Sequence, residues 1–256
     1  MKKILLVLCL CFAVAGVASA TPLTDYSLGK TQIDLSLGWA SDGTSGVNGD
    51  IDAHPVEWAI NQQFGSGSGG VGNLGVTVGL SSNMALRLKT LMFNGSTYNS
   101  PQLPDGSGFT ATGYVSDTEF DFMYQALTLD RSPVSLTVLI GFDVPVLGTI
   151  FSSNNWDNYY GNYSSGNIAQ FSLIGGGFVG GLQLVTPIND TTNFYANGDL
   201  GTSHWGLGVG VGFVLAPQFD FNIGLDYRSF NLNSINSNLN GSITSTQPTI
   251  GISYRF

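Results

Sequence analysis

Two side chains in this chain, those of His54 and His204, ordinarily titrate near neutral pH and could serve acid–base chemistry. Ser203 precedes His204, but a serine–histidine pair needs a third, orienting acid, and adjacent residues on a strand point to opposite faces. Asp52 stands two residues before His54, in a glycine-rich stretch without an evident partner pair of carboxylates. The sequence therefore predicts no catalytic residues, and it predicts that His204 lies at the rim of the structure.

Two short motifs match ligand-binding patterns but lack the context that binding requires. Asn48-x-Asp50-x-Asp52 offers oxygen ligands at the spacing of a calcium loop, yet Ala53 replaces the turn glycine of an EF-hand and no glutamate closes the loop. Segment 65–70 matches G-x-G-x-x-G, but no helix is predicted after it. We predict no cofactor and no bound metal, and the candidate for calcium is Asn48, Asp50 and Asp52.

The composition and the N-terminus indicate an exported protein. Residues 1–20 combine two lysines, an apolar run and a final Ala-Ser-Ala, which is typical of a cleaved signal peptide and leaves 21–256 as one domain. Cleavage would remove both cysteines and take the formal charge from -9 to about -11. Charged residues make up 10% of the chain, against roughly 25% in ordinary soluble proteins. This composition excludes a typical cytosolic enzyme, and the negative charge makes a nucleic-acid partner improbable.

Apolar residues alternate with polar residues or glycine through most of the remaining chain. In the last segment Ile250, Ile252, Tyr254 and Phe256 alternate with Thr249, Gly251, Ser253 and Arg255. Similar alternation occurs in 32–39, 73–80, 119–126, 134–144, 206–215 and 219–228, and less clearly in 84–93, 168–185 and 192–201. No apolar run of about 20 residues, the length of a transmembrane helix, follows residue 20. The pattern predicts an all-β fold, an antiparallel up-and-down transmembrane β-barrel of ten strands, with eight or twelve as alternatives.

The links between these segments alternate between short and long, as such a barrel requires. Turn-like links occupy 80–83, 128–133, 186–191 and 216–218, whereas 41–70, 94–116, 145–166 and 231–242 are predicted as long polar loops. The tight link at Thr202 and Ser203 is the exception and must be an external turn. Val56 to Phe64 also alternates, and we interpret it as a strand extension or a short helix in the first external loop.

Together these features resemble the bacterial outer-membrane β-barrel proteins, in the superfamily of small porins and OmpA-type barrels. The resemblance implies a location in the outer membrane, with membrane lipid and lipopolysaccharide as partners. In that superfamily a terminal aromatic preceded by alternating apolar residues is the signal that the barrel-assembly machinery recognises. Here Ile250, Ile252, Tyr254 and Phe256 match that signal.

The charged residues on the inward-facing positions are candidates for a solute path or for an ion-paired plug. They are Asp34, Arg87, Lys89, Glu119, Asp121, Asp143, Asp220, Asp226, Arg228 and Arg255. Pairing 84–93 with 118–128 would place Lys89 diagonally near Asp121, and we predict a salt bridge there. The inward glycines of 206–212 leave space for a narrow channel unless larger residues opposite fill it. The expectation is a largely filled lumen.

The external loops carry the residues best suited to recognition. Trp156, Tyr159, Tyr160 and Tyr163 lie among Asn, Ser and Gly, a mixture typical of adaptable binding surfaces and also of the membrane-interface belt. We therefore expect a structural or adhesion-type role with a surface ligand, and the alternative is a narrow channel. An enzyme ranks third, because the Asp-x-His element of omptin proteases is missing before His204 and no complete set of the lipid A deacylase sort is visible.

Overall fold

The computed structural model describes residues 22–49, 54–65, 67–99, 109–153 and 168–256. The predicted signal peptide, Asp50 and Asp52 of the calcium motif, and the four loop aromatics Trp156, Tyr159, Tyr160 and Tyr163 lie outside the described residues. Among the residues described, no helix is long and apolar enough to cross a membrane.

Antiparallel strands form one closed sheet. The strands are β1 (Thr31–Gly49), β2 (Ser68–Ser81), β3 (Met84–Asn99), β4 (Phe109–Leu127), β5 (Ser135–Ser153), β6 (Ile168–Ile174), β7 (Gly177–Asn189), β8 (Thr192–Gly201), β9 (His204–Ala216), β10 (Phe219–Asn231) and β11 (Leu239–Arg255). Apart from β6 and β7, consecutive strands pair with each other, and β11 pairs with β1 to close the ring. Both β6 and β7 pair with β5 and are separated by Gly175 and Gly176 alone, so they are two parts of one interrupted strand. The barrel is therefore ten-stranded, as predicted.

The alternation places apolar side chains on the outside of the barrel. Leu37, Phe120 and Ile250 are each about half exposed, at 59%, 53% and 52%, whereas polar residues between such positions are buried. A band of exposed apolar side chains is stable only against lipid. The predicted assembly residues Ile250, Ile252, Tyr254 and Phe256 lie on this outer surface. The rings of Tyr254 and Phe256 meet edge to face at 4.8 Å between centroids.

All four predicted long loops are partly strand, and in this respect the prediction was wrong. β1 continues to Gly49, β3 and β4 enclose a link of only 100–108, and β5 continues to Ser153. The fourth link, 231–242, is shortened because β11 begins at Leu239. Polar segments can extend a sheet because the ladder is made of backbone hydrogen bonds and does not need an apolar face. The barrel wall is therefore taller at this end than the alternation indicated.

Two short helices lie at the same end as these long links. α1 (His54–Phe64) confirms the helical interpretation of Val56 to Phe64. α2 (Leu232–Ile235) begins after Asn231, whose side-chain oxygen accepts a hydrogen bond from the backbone N–H of Asn233 at 3.1 Å. The short turns and the N-terminal segment lie at the opposite end, which in barrels of this kind faces the periplasm.

The side chains inside the barrel form three tiers. β3 shows the order, since its inward residues run from Ala85 through Arg87 and Lys89 to Leu91 and Phe93. The lower tier, at the short-turn end, is apolar and consists of Leu23, Tyr26, Ala85, Met123 and Leu139. The upper tier is also apolar and includes Ile60, Phe64, Leu91, Phe93, Val115, Leu147, Phe230, Leu232, Ile235, Leu239 and Ile243. A charged tier lies between the two.

The lower tier is built around an N-terminal strap, residues 22–30, which enters the barrel before β1. The Tyr26 hydroxyl lies 3.1 Å from Thr137 Oγ1 on β5, and Gln125 Nε2 on β4 donates to the carbonyl of Thr24 at 3.0 Å. At the exposed bend of the strap the hydroxyl and the backbone N–H of Ser27 both donate to Asp25 Oδ1, and these bonds hold the pKa of that carboxyl below its ordinary value. The strap closes the short-turn end.

The upper tier closes the other end with α1. Phe64 is fully buried and meets Phe93 edge to face at 6.2 Å, and Phe93 in turn meets Phe230 at 5.9 Å. Glycines make room for the Phe64 ring, since a Cβ at Gly95 or Gly113 would lie within 2.8 Å of it. Because these contacts fix α1 inside the barrel mouth, the external end is packed with side chains.

Candidate functional site

The charged tier is the candidate functional site. Its members are Arg87, Lys89, Asp117, Glu119, Asp121, Asp143, Asp199, His204 and Arg228, and every one is buried. Residues two apart on a strand share a face, so Asp117, Glu119 and Asp121 on β4 all point into the lumen. The other members come from β3, β5, β8, β9 and β10. The barrel walls thus bring residues from six strands to one level.

One half of the charged tier consists of pairs between neighbouring strands, and we call it the neighbour-strand half. The register of β3 and β4 sets Arg87 opposite Asp121 and Lys89 opposite Glu119. Arg87 Nη2 lies 2.7 Å from Asp121 Oδ2 and 3.5 Å from Glu119 Oε2, and Lys89 Nζ lies 3.3 Å from Glu119 Oε2. The predicted diagonal salt bridge from Lys89 to Asp121 was wrong because each residue has a directly opposite partner of opposite charge.

The other half is held together across the lumen, and we call it the cross-lumen half. Arg228 on β10 is 1% exposed and reaches two residues of β4, with Nη1 at 2.7 Å from Glu119 Oε1 and 3.1 Å from Asp117 Oδ2. Its Nη2 lies 3.2 Å from Asp199 Oδ2 on β8. Asp117 and Asp199 were missed from the sequence. The spacing Asp117-x-Glu119-x-Asp121 was a usable signal, since it places three carboxylates on one face.

His204 lies inside the cross-lumen half and is 2% exposed. Its Nδ1 is 3.2 Å from Asp143 Oδ2 and 3.5 Å from Asp117 Oδ2, and its Nε2 is 3.0 Å from Asp199 Oδ1. The prediction of a rim position was wrong. The β8–β9 turn lies well below the top of the wall. On one side β5 and β6 continue above this turn, and on the other side Asn231 and α2 lie above it.

Ser203 also reaches the interior, contrary to the expectation that Ser203 and His204 face opposite sides. The alternation rule applies to extended strand, but Ser203 lies in the bend before β9 begins. Its side chain is fully buried and its hydroxyl donates to Asp143 Oδ2. Asp143 therefore contacts both members of the sequence pair.

The remaining predicted lumen charges are not among the nine members named for the charged tier. Arg255 pairs with Asp220 and donates from Nε to Gln32 Oε1 at 3.2 Å, and Gln32 donates to Asp34 Oδ1 at 2.7 Å. This smaller group lies near the short-turn end. Asp226 is buried at 5% exposure on β10.

The space beside two of the inward glycines, Gly206 and Gly210, is occupied. A Cβ on Gly210 would lie 2.3 Å from the Tyr195 hydroxyl, and one on Gly206 would lie 2.8 Å from Asp199 Oδ1. Larger side chains of the neighbouring strand β8 therefore fill the lumen beside these two glycines. At the external rim Asn48 is exposed, donates to the carbonyl of Gly46 at 3.0 Å and accepts from Asn240 at 3.3 Å.

The arrangement around His204 offers two sets of metal-ligating atoms. Asp117, Asp143 and His204 form one set, and Glu119, Asp199 and His204 form the other, each with ligand atoms within 4.8 Å of one another. The same groups could hold and move a proton, since an imidazole stands between carboxylates on both sides.

The closed ring, the apolar outer band and the filled interior define a transmembrane β-barrel. The chain belongs to the family of outer membrane protein beta-barrel domains, whose model matches residues 10–256. It is accordingly a protein of the outer membrane. A comparison with curated proteins found no match.

Solved structures share the fold at low sequence identity. Outer membrane protease OmpT from Escherichia coli is 9% identical with a TM-score of 0.47, covering 94% of this chain and 99% of that one. Neisserial surface protein A is 12% identical with a TM-score of 0.39, over 89% and 99%. OprG from Pseudomonas aeruginosa is 14% identical with a TM-score of 0.37, over 92% and 99%. These likenesses concern the barrel fold and carry no argument about function.

Proposed function

We propose that this chain is a non-conducting outer-membrane barrel with a structural and surface-interaction role. The observation that carries the proposal is the filling of the lumen at three levels. The strap and lower tier close the short-turn end, the charged tier occupies the middle, and α1 with the upper tier closes the external end. A barrel of about eight to ten strands has an interior that side chains can fill.

The height of the barrel wall supports a role outside the membrane. β1, β4 and β5 are each 19 residues long. At about 3.3 Å per residue and a tilt of about 40°, such a strand rises about 48 Å, whereas the apolar band of these barrels is about 25 Å tall. On β1 the exposed apolar residues end at Trp39, and Val47 is the single apolar side chain in 41–49. At β1, about 20 Å of polar wall therefore stands beyond the band.

This projecting wall is held by its own polar contacts. Thr97 and Thr112 pair through their hydroxyls at 2.9 Å, and Asn240 donates to Asn48 at 3.3 Å. The link from β5 to β6, which contains Trp156, Tyr159, Tyr160 and Tyr163, leaves the wall at the same end. We propose this end as the surface for an external ligand, with lipopolysaccharide and membrane lipid around the apolar band. The barrel-assembly machinery is the partner proposed for the Ile250 to Phe256 pattern.

Ion leak from vesicles tests whether the lumen is closed. Wild-type protein at a known number of copies per vesicle should leak no faster than protein-free vesicles. A matched variant lacking residues 22–30 and carrying F64A, F93A and F230A removes both apolar closures and should leak more. Wild-type leak above the protein-free level would overturn the proposal in favour of a narrow channel.

Attachment of cells that display the barrel tests the surface role. Replacing Trp156, Tyr159, Tyr160 and Tyr163 with serine should reduce attachment to host or ligand-coated surfaces while leaving the amount of displayed protein unchanged. The matched control replaces Trp39 and Trp205, two aromatic residues of the outer barrel surface, with phenylalanine. Attachment that survives the four serine substitutions would show that these aromatics have no recognition role.

A second candidate, an outer-membrane hydrolase, is favoured by one observation. His204 lies between Asp143 and Asp199, and Ser203 donates to the same Asp143. Against this, the imidazole lies under the Phe230 ring at 5.7 Å between centroids and is almost fully buried. Ester and peptide substrates should therefore show no turnover with the refolded protein. Turnover that H204A abolishes would replace the leading proposal.

A further inference from the structure

The two nitrogens of the His204 imidazole have different surroundings. Nε2 lies 3.0 Å from Asp199 Oδ1, and the other oxygen of that carboxylate pairs with Arg228 at 3.2 Å. Nδ1 faces two further carboxylates, with Asp143 Oδ2 at 3.2 Å and Asp117 Oδ2 at 3.5 Å. If Nε2 carries the proton toward Asp199, the lone pair of Nδ1 points at two anions. A cation between these three groups would turn repulsion into attraction.

The permanent charges of the tier also favour a bound cation. The residues joined by its ion pairs comprise five carboxylates, on Asp117, Glu119, Asp121, Asp143 and Asp199, and three permanent cations, on Arg87, Lys89 and Arg228. Apart from the imidazole, this leaves two negative charges in a buried layer. Unbalanced buried charge is costly, and one divalent cation would balance it.

Each of the two carboxylates that approach Nδ1 of His204 through Oδ2 also has an oxygen without a hydrogen-bond partner. Among the described residues, Asp117 Oδ1 and Asp143 Oδ1 have no hydrogen-bond partner, although their side chains are 1% and 0% exposed. Both carboxylates flank Nδ1 of His204. By contrast, Glu119 is already paired with Arg87, Lys89 and Arg228, so the alternative set around Nε2 is saturated with cations.

We propose that Asp117, Asp143 and His204 Nδ1 bind one divalent transition-metal ion, of which Zn²⁺ is the representative. One imidazole nitrogen and two carboxylates are a common three-ligand set for this class of ion, with a water or hydroxyl in a fourth position. Asp199 would act in the outer shell, since a metal-binding histidine usually donates its other N–H to a carboxylate. The ion would join β4, β5 and the start of β9 across the lumen.

A cavity of about 330 Å³ lies beside the β8–β9 turn and is lined by Thr202, His204, Trp205 and Ser229, among others. None of its lining residues belongs to the apolar upper tier. This cavity is the route by which a hydrated ion would approach His204.

Calorimetric titration of the chelator-treated, refolded barrel with Zn²⁺ tests the site. One ion should bind per chain. H204A and D143N should lower the affinity by at least about 100-fold, and D199N by about 10- to 100-fold as an outer-shell change. D121N, in the neighbour-strand half, and H54A, which removes the other histidine, are matched controls that should retain wild-type binding. Absence of binding, or equal binding by wild type, H204A and D143N, would overturn the site.

A second measurement keeps the test decisive if H204A does not fold. The unfolding temperature of the wild type should rise when Zn²⁺ is added and fall back to its original value with chelator, because a ligand that binds only the folded state stabilises that state. D143N nearly preserves the size of the side chain and should lose that shift. Cobalt(II) should give a visible absorption band with wild type that D143N lacks. A shift of equal size in both proteins would contradict the proposed ligands.

Discussion

The two halves of the charged tier neutralise their buried carboxylates in different ways. In the neighbour-strand half, Arg87 and Lys89 meet carboxylates directly opposite them on β4. In the cross-lumen half, Arg228 and His204 meet Asp117 and Asp143, which lie far away in the sequence and on the other side of the barrel. The first half needs only a correctly registered hairpin, whereas the second exists only once the barrel is closed. The cross-lumen half therefore depends on barrel diameter and closure.

Loss of Arg228 should have the largest effect. R228M leaves Asp117, Glu119 and Asp199 without their shared cation in a buried layer, and we expect the free energy of unfolding to fall by about 5 kcal/mol. Urea titration of the protein in lipid vesicles measures this change. R131M, at an exposed residue of the β4–β5 turn, is the control and should change stability by less than about 0.5 kcal/mol. A smaller decrease in the free energy of unfolding than that caused by R87M would contradict the expectation that the cross-lumen half contributes more to stability than the neighbour-strand half.

Loss of Arg87 should cost less, because Lys89 stays on Glu119 and Asp121 alone loses its cation. We expect R87M to lower the free energy of unfolding by about 3 kcal/mol. The same urea titration compares it directly with R228M. An equal decrease in the free energy of unfolding for both variants would mean that an arginine that pairs across the lumen stabilises the barrel no more than one that pairs with a neighbouring strand.

Replacing both partners of the neighbour-strand pair should restore most of that loss. R87M combined with D121L removes the unpaired carboxylate together with its cation, and apolar substitutes for a buried ion pair are often close to neutral. We expect the double variant to lie within about 1 kcal/mol of wild type, and the cycle of single and double variants gives the coupling energy. Additive losses from R87M and D121L would argue that the two side chains are not coupled.

The smallest expected effect concerns an uncharged contact between the strap and the wall. Y26F removes the hydrogen bond between the Tyr26 hydroxyl and Thr137 Oγ1 but keeps the buried ring. The expected loss is about 1 kcal/mol, typical of one neutral hydrogen bond. It provides a reference for the ion-pair variants. A loss as large as that of R228M would show that the strap, and not the charged tier, controls the stability of the closed barrel.

The period-two pattern was enough to predict which side chains face lipid, as Leu37, Phe120 and Ile250 show. It could not give the partner of Lys89, because sliding one strand by two residues keeps every side chain on its face while changing every pair. It also could not give the depth of His204, since the level of the β8–β9 turn depends on how far the neighbouring strands continue.

The contacts of Arg228 with Asp117 and Asp199 were beyond sequence reasoning for another reason. They join strands that are not neighbours in the sheet, so their geometry depends on the diameter of the closed ring and on the filling of the lumen. The polar residues before Asp117 are typical of a loop, and the alternation becomes clear only beyond it. Some residues of the site could therefore be predicted from the sequence, but the contacts between them could not.

The N-terminal strap has a consequence for the order of assembly. Its apolar contacts in the lower tier come from Ala85, Met123 and Leu139, on β3, β4 and β5, which all precede the interrupted strand in the chain. The seam that completes the ring joins β1 to β11, the first strand to the last. The strap can therefore settle against an open, curved sheet of early strands before the late strands arrive. The early strands alone thus supply the apolar residues that the strap contacts in the lower tier.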